Sequence, residues 1–165
     1  MAWTVPLALG DSHRGFPVLG TSTAYFDHYR YGRDQPLVLA EGERFADLYN
    51  AVLGAEVAAT LGYRLGDAII VGGDQYAVDS PRFAGILERT GTPVDRSVHV
   101  SLEAIEAIHL GWEGGAPMPG RTIDAEQARA RGLTPKTITA MLVGLESRIA
   151  TFALQRRINE YSRKP

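Results

Sequence analysis

The sequence predicts an α+β fold of mixed small sheets with packed helices, and three observations carry that expectation. Apolar runs of strand length and of helix length both occur, they do not alternate as a regular βαβα series, and no repeat or low-complexity tract is visible. With 165 residues and 45% hydrophobic content, the chain can bury one core without metal or disulfide. One unit over 1–165 is expected, with a small β-rich lobe within it over 37–100.

The N-terminal segment reads as a hairpin. Trp3 to Leu9 is an apolar run, Gly10-Asp11-Ser12-His13 has turn chemistry, and Gly15 to Gly20 supplies the return strand. Thr21, Ser22 and Thr23 offer cap hydroxyls to a helix in which Tyr25, Phe26 and Tyr29 share one side, with Gly32 at its end. Leu37 to Leu39 is a short strand candidate, followed by a polar break at Glu41-Gly42-Glu43. Ala51-Val52-Leu53 opens a segment whose alanines, running to Leu61, suit a helix on a flat neighbour. Leu65-Gly66-Asp67 is a turn into an apolar run at Ala68 to Val71, and Gly72-Gly73-Asp74 turns the chain into a pairing strand over Gln75 to Leu87.

The second half continues the mixture. After the loop Thr90-Gly91-Thr92-Pro93, Ser97 to Val100 is a strand candidate, and Ser101 can cap a helix running to about Leu110. Gly111 to Arg121, rich in Gly and Pro, is an irregular connection. Asp124 with Gln127 forms a capping-box pattern, and Gly132 suits a helix C-terminus. Ile138 to Leu145 reads as a buried strand. Ser147 to Tyr161 reads as a helix, with Ile149, Phe152 and Ala153 on one side and Leu154, Ile158 and Tyr161 widening the apolar arc. Arg156, Arg157, Arg163 and Lys164 are placed to complement its dipole.

Composition removes several classes of function. Seventeen basic residues against nineteen acidic ones leave a formal charge of -2, scattered along the chain, so a nucleic-acid partner is not expected. The absence of cysteine excludes a thiolate nucleophile, a disulfide framework and any cysteine-based metal site. No apolar run reaches the roughly 20 residues of a membrane helix, and no signal segment opens the chain.

The candidate chemistry is thin. Gly10-Asp11-Ser12 resembles the start of a serine hydrolase, but no Asp-x-x-His occurs and no histidine lies beyond His109, so Ser12 reads as a turn residue. Glu103, Glu106 and His109 recur every third residue on a predicted helix and are the metal candidates. Leu102, Ile105 and Ile108 form the adjoining apolar stripe, which makes the acids a solvated face, and one helix supplies too few ligands. His13, His28 and His99 stand alone and read as surface or satisfied histidines. No Walker A or G-x-G-x-x-G arrangement is present, so no nucleotide cofactor is expected. Tyr25, Phe26, Tyr29 and Tyr31 lack the basic neighbours of a base-stacking platform and read as aromatic core.

The order of the pieces says more than any one of them. VLGTSTAYFDHY, PLVLAEGERF, AVLGAEVAATLGYRLGDAIIV, FAGILERTGTPVD and VHVSLEAIEAIH, taken in sequence, resemble the extracytoplasmic core domain of ABC-transporter permeases of the MacB/FtsX type. The matching positions are Gly20-Thr21 with Tyr25-Phe26, Glu41 to Phe45, Ala55 to Gly62, Gly66-Asp67 with Ile69 and Val71, Gly85 to Leu87, and Val98 to Glu103. Gly20, Gly42, Gly62, Gly66, Asp67 and Gly85 are scaffold positions of that pattern rather than a reactive centre. The closing ITAMLVGLESRIATFALQRRINEY resembles the strand and helix that return such a domain toward the membrane.

The resemblance implies a membrane-proximal α/β base with a β-rich lobe, outside the bacterial cytoplasmic membrane. It implies a non-enzymatic role, relaying movement of the parent permease's membrane helices to a substrate or a periplasmic partner protein. The partners it implies are a second permease subunit and a separate cytoplasmic ATPase, with a homodimer of the domain as a further expectation. Two departures stand out. Relatives carry an additional strand and helix before the position of Ala2, which predicts that the chain is a piece of a longer protein. The connection from Gly72 to Pro81 is short where relatives have a longer loop, sometimes with histidine. The alternatives are a free periplasmic module that binds a small ligand or a metal, and a hydrolase dependent on Ser12.

Overall fold

The computed structural model describes residues 2–46, 48–68, 82–109, 130, 133 and 135–161. Its centre is a seven-stranded mixed sheet. The strands are β1 (Trp3–His13), β2 (Phe16–Thr21), β5 (Leu39–Gly42), β6 (Asn50–Leu53), β7 (Arg82–Leu87), β8 (Val98–Ser101) and β9 (Ala140–Gly144), in the order β5-β7-β6-β8-β2-β1-β9. The pairs β2/β8 and β6/β7 are parallel and the rest antiparallel. A second, two-stranded sheet joins β3 (Arg30–Tyr31) to β4 (Gln35–Pro36). Residues 37–100 hold β5, β6, β7 and all but the last residue of β8, four strands that are neighbours in the large sheet.

Both faces of the sheet are covered, because the apolar residues of the central strands point alternately to either side. Ala51 and Leu53 of β6 and Val98 and Val100 of β8 meet α2 (Ala55–Leu61) and α3 (Leu102–His109) through Val57, Ala58, Ala104 and Ile105. Val5, Leu19, Val52 and Leu87 form the other core with Tyr25 and Phe26 of α1 (Ala24–His28), Leu37 and Phe45. Ser101 caps α3, its hydroxyl accepting from the Ala104 amide at 3.0 Å. Gly62 ends α2 in the left-handed conformation.

Several expected boundaries move. Gly10 to His13 is not the hairpin turn; β1 runs on through a bulge between Leu9 and Ser12, and the chain reverses at Arg14-Gly15, with φ of 48° and 84°. A two-residue turn with both φ positive matches the twist of its strands, so it outcompetes the polar signal upstream. α1 stops at His28, and Gly32 instead turns the β3/β4 hairpin. Of the strand expected at Leu37 to Leu39, only Leu39 is in a strand, as the first residue of β5, while Leu37 and Val38 link β4 to β5; Glu41-Gly42 lies inside β5 rather than in a break. Ala51 to Leu53 is a strand, with the helix beginning after Gly54. β9 is an edge strand, half-exposed rather than buried, since only β1 flanks it. The expectations for 69–81, 110–129, Gly132, Arg163 and Lys164 lie outside the described residues.

The loop before β8 folds around one carboxylate. Asp95, buried in the 3-10 turn Pro93–Arg96, accepts from the Thr90 amide at 2.7 Å, the Thr90 hydroxyl at 2.8 Å and the Gly91 amide at 2.8 Å. Burial alone would push its proton affinity up, but these donors and the charge of Arg89 outweigh it and hold the acid below the usual carboxylate range. Asp95→Ala strands three donors, and a loss of about 2 kcal/mol in urea unfolding is expected. An unchanged midpoint would show the loop to be held by other means.

Candidate functional site

The feature that stands apart is the corner where β1 begins and β9 ends. These strands run antiparallel, so Trp3 pairs with Gly144, and the Ala2 amide donates to the Gly144 carbonyl at 2.9 Å. The indole of Trp3 lies over Gly144, where a Cβ would collide with the ring, and stacks on His28 at 4.4 Å with planes 9° apart. The corner is thus braced by α1. Farther along, Thr139 closes the ladder, its hydroxyl accepting from the Leu9 amide at 3.0 Å and donating to the Leu9 carbonyl at 3.1 Å.

From this corner the chain continues into α4 (Ala150–Tyr161), which buries no residue. Ile149, Phe152, Ile158 and Tyr161 are 80%, 74%, 55% and 80% exposed, and Ile138 and Met141, before and in β9, are also exposed. Apolar surface gathered on one element points to an interface. Of the apolar arc read from the sequence, Leu154 is half-buried and Ile149, Phe152, Ala153, Ile158 and Tyr161 are exposed. Arg156 and Arg157 lie a turn short of the helix end, and the last described turn carries no base to meet the dipole. Among the described residues, no helix is long and apolar enough to cross a membrane.

The residues singled out from the sequence do not converge. Glu103 and Glu106 lie on α3, where Glu106 accepts from the Lys136 amide at 2.9 Å, and the His109 side chain lies outside the described residues. Among the described residues no group of three His, Asp or Glu side chains could hold a metal ion. Ser12 sits in β1, and the neighbouring His13 has its Nε2 within 2.8 Å of the Tyr63 hydroxyl.

The scaffold positions fall at crossings and turns. A side chain at Gly20 would strike Ile105 of α3. Gly42 and Gly85 face each other across β5 and β7, where a Cβ would land on the Ala84 and Glu43 carbonyl oxygens. Asp67 closes the turn at Gly66, its carboxylate accepting from the Arg64 amide at 2.9 Å, and the turn docks on β7 through Phe83 N to Asp67 O at 3.1 Å.

Sequence reasoning missed His99. It is neither at the surface nor satisfied: it is fully buried on β8, the middle strand, among Tyr25 at 5.5 Å and Phe26 at 5.9 Å between ring centres. Its Nδ1 lies 3.1 Å from the Val52 carbonyl, while Nε2 has no hydrogen-bond partner among the described residues. Burial pushes its pKa down to about 4, against a smaller upward pull from the Val52 bond. Its position within the alternating VHVS run was the available signal, since Val98, Val100 and His99 had to face opposite sides of a central strand.

No protein-family description and no curated protein matches the sequence. Solved structures do resemble it. The extracellular domain of the noncanonic ABC-type transporter YknZ from Gram-positive bacteria superposes with TM-score 0.53 at 13% identity, covering 92% of this chain and 69% of that one. A domain of a candidate permease protein from Porphyromonas gingivalis gives TM-score 0.46 at 14% identity, covering 92% and 78%. The chain therefore has the α+β fold of the YknZ extracellular domain, the fold that the ordered motifs imply.

Proposed function

We propose that this chain is the extracytoplasmic domain of an ABC-transporter permease, a non-catalytic element that passes movement of membrane helices to a substrate or partner outside the cell membrane. The observation that carries the reading is the corner. An inserted domain must take the chain in and return it at one place, and here the Ala2 amide and the Gly144 carbonyl are hydrogen-bonded. The fold shared with the YknZ extracellular domain and the exposed apolar side chains of α4 support it. On this reading α4 is the arm that receives movement, and β9, β1 and the Trp3 stack carry it into the sheet. Neither a nucleotide nor a metal takes part in this domain; the energy comes from a separate cytoplasmic ATPase.

These 165 residues contain no cysteine, so in a parent protein with any other cysteines replaced the introduced thiol is the one reactive group. Phe152→Cys in the parent protein, expressed in intact cells, is expected to react with a membrane-impermeant maleimide without lysis. Labelling only after the cells are broken would place the domain on the wrong side and end the proposal.

A further inference from the structure

We infer that His99 makes the attachment of α1 to the sheet acid-labile, so that a fall in external pH loosens the brace on the corner where the domain is anchored. The physiological setting rests on the extracytoplasmic reading, whereas the acid response is a property of the fold alone.

A carbonyl oxygen only accepts, so the 3.1 Å contact to Val52 fixes the proton of the neutral ring on Nδ1 and leaves Nε2 with a bare lone pair. An unpartnered acceptor in a closed site is a modest cost. A second proton on Nε2 would be a buried cation with an unanswered donor, which is far worse.

The elements around the ring offer no relief. Across the ladders stand Val52 of β6 and Leu19 of β2, and above lie Tyr25 and Phe26 of α1. Tyr25 is the titratable group among these, and burial, then Tyr29, keeps its hydroxyl protonated through this range. The ionic contact nearest to α1, Asp27 with Arg44, is exposed, and Arg44 sits over the Phe26 ring from outside.

α1 is the element built to yield. It has five residues, and its cap residue Thr23 makes no side-chain capping bond. A single helical turn holds by tertiary contact rather than by its own propensity. Lifting it would bring water to Nε2, and would also withdraw His28 from the Trp3 ring at the corner. The proton thus acts on the anchor through α1.

The sign follows from linkage. The closed ring prefers to be neutral relative to a solvated histidine of pKa about 6.5, so closure is fully favoured above that value and is lost as pH falls toward 4. At pH 5 this linkage raises the open population about thirtyfold over pH 7.5.

Hydrogen exchange across residues 24–31, corrected for intrinsic pH dependence and referred to residues 50–53 of β6, tests the inference. The wild-type chain is expected to lose protection in 24–31 by about thirtyfold between pH 7.5 and 5, while β6, which opens only with the sheet, remains the better protected at both pH values. His99→Asn, which keeps a donor for the Val52 carbonyl, and His99→Leu, which fills the space, are both expected to be flat over that range. Parallel loss in a folded variant, protection in 24–31 as high as in β6 at pH 5, or a flat wild type would each overturn the inference. Failure of maleimide labelling in intact cells would instead remove the setting and leave the acid response standing.

Discussion

Gly54→Ala is expected to destabilise the protein by about 3 kcal/mol, a large effect for a single methyl group. The backbone there is ordinary: Gly54 caps α2 at φ -67° and ψ 151°, a conformation open to any residue. Space is what is missing, since a Cβ would land on the carbonyl oxygens of Val94 and Asp95. Those atoms cannot retreat. The turn that carries them is held by the Asp95 carboxylate, by Ser97 Oγ donating to the Pro93 carbonyl at 2.9 Å, and by the buried Val94 side chain. Gly54 is itself tied to that turn through its amide, which donates to Ser97 O at 2.9 Å. Urea unfolding should show a lower midpoint at unchanged slope. A shift below 1 kcal/mol would mean that the turn gives way.

Phe83→Ala is expected to cost about 3–5 kcal/mol. Phe83 is the largest of the fully buried side chains, on β7 between β5 and β6, and its ring meets Tyr63 at 4.6 Å. Its backbone also holds the turn at Gly66-Asp67, so a collapsing cavity disturbs a second element. Phe152→Ala is the control. The same truncation on a ring 74% exposed should move thermal unfolding of the chain by less than about 0.5 kcal/mol. Comparable losses at the two sites would show that α4 is docked in solution.

The sequence was most legible where a residue type answers a local demand. Ser101 before an apolar helix, Gly62 after one and Gly66-Asp67 at a turn all act within four residues of themselves, and each is found in the expected part. Long-range demands were harder to see. Gly10-Asp11-Ser12 carries the residues most typical of turns, yet the strand twist selects Arg14-Gly15. The strand at Ile138 to Leu145 looked buried because edge and centre share one apolar alphabet, and only the sheet order separates them. His99 was misread for the same reason: its solitude in sequence says nothing of the two aromatic rings that α1 folds over it. The ordered motifs did lead to the right fold, because glycines at backbone crossings such as Gly42 against Gly85 are dictated by topology.

The pairing of Trp3 with Gly144 has a mechanical meaning. Two antiparallel strands tugged from neighbouring tips part like a zipper, each rung taking the full load in turn, whereas strands dragged past one another must fail at every rung together. On the proposed permease reading, membrane segments that swing in concert would turn the whole sheet as a rigid paddle. Segments that spread would peel β9 away, starting where the indole of Trp3 covers Gly144, with Thr139 as the last fastening.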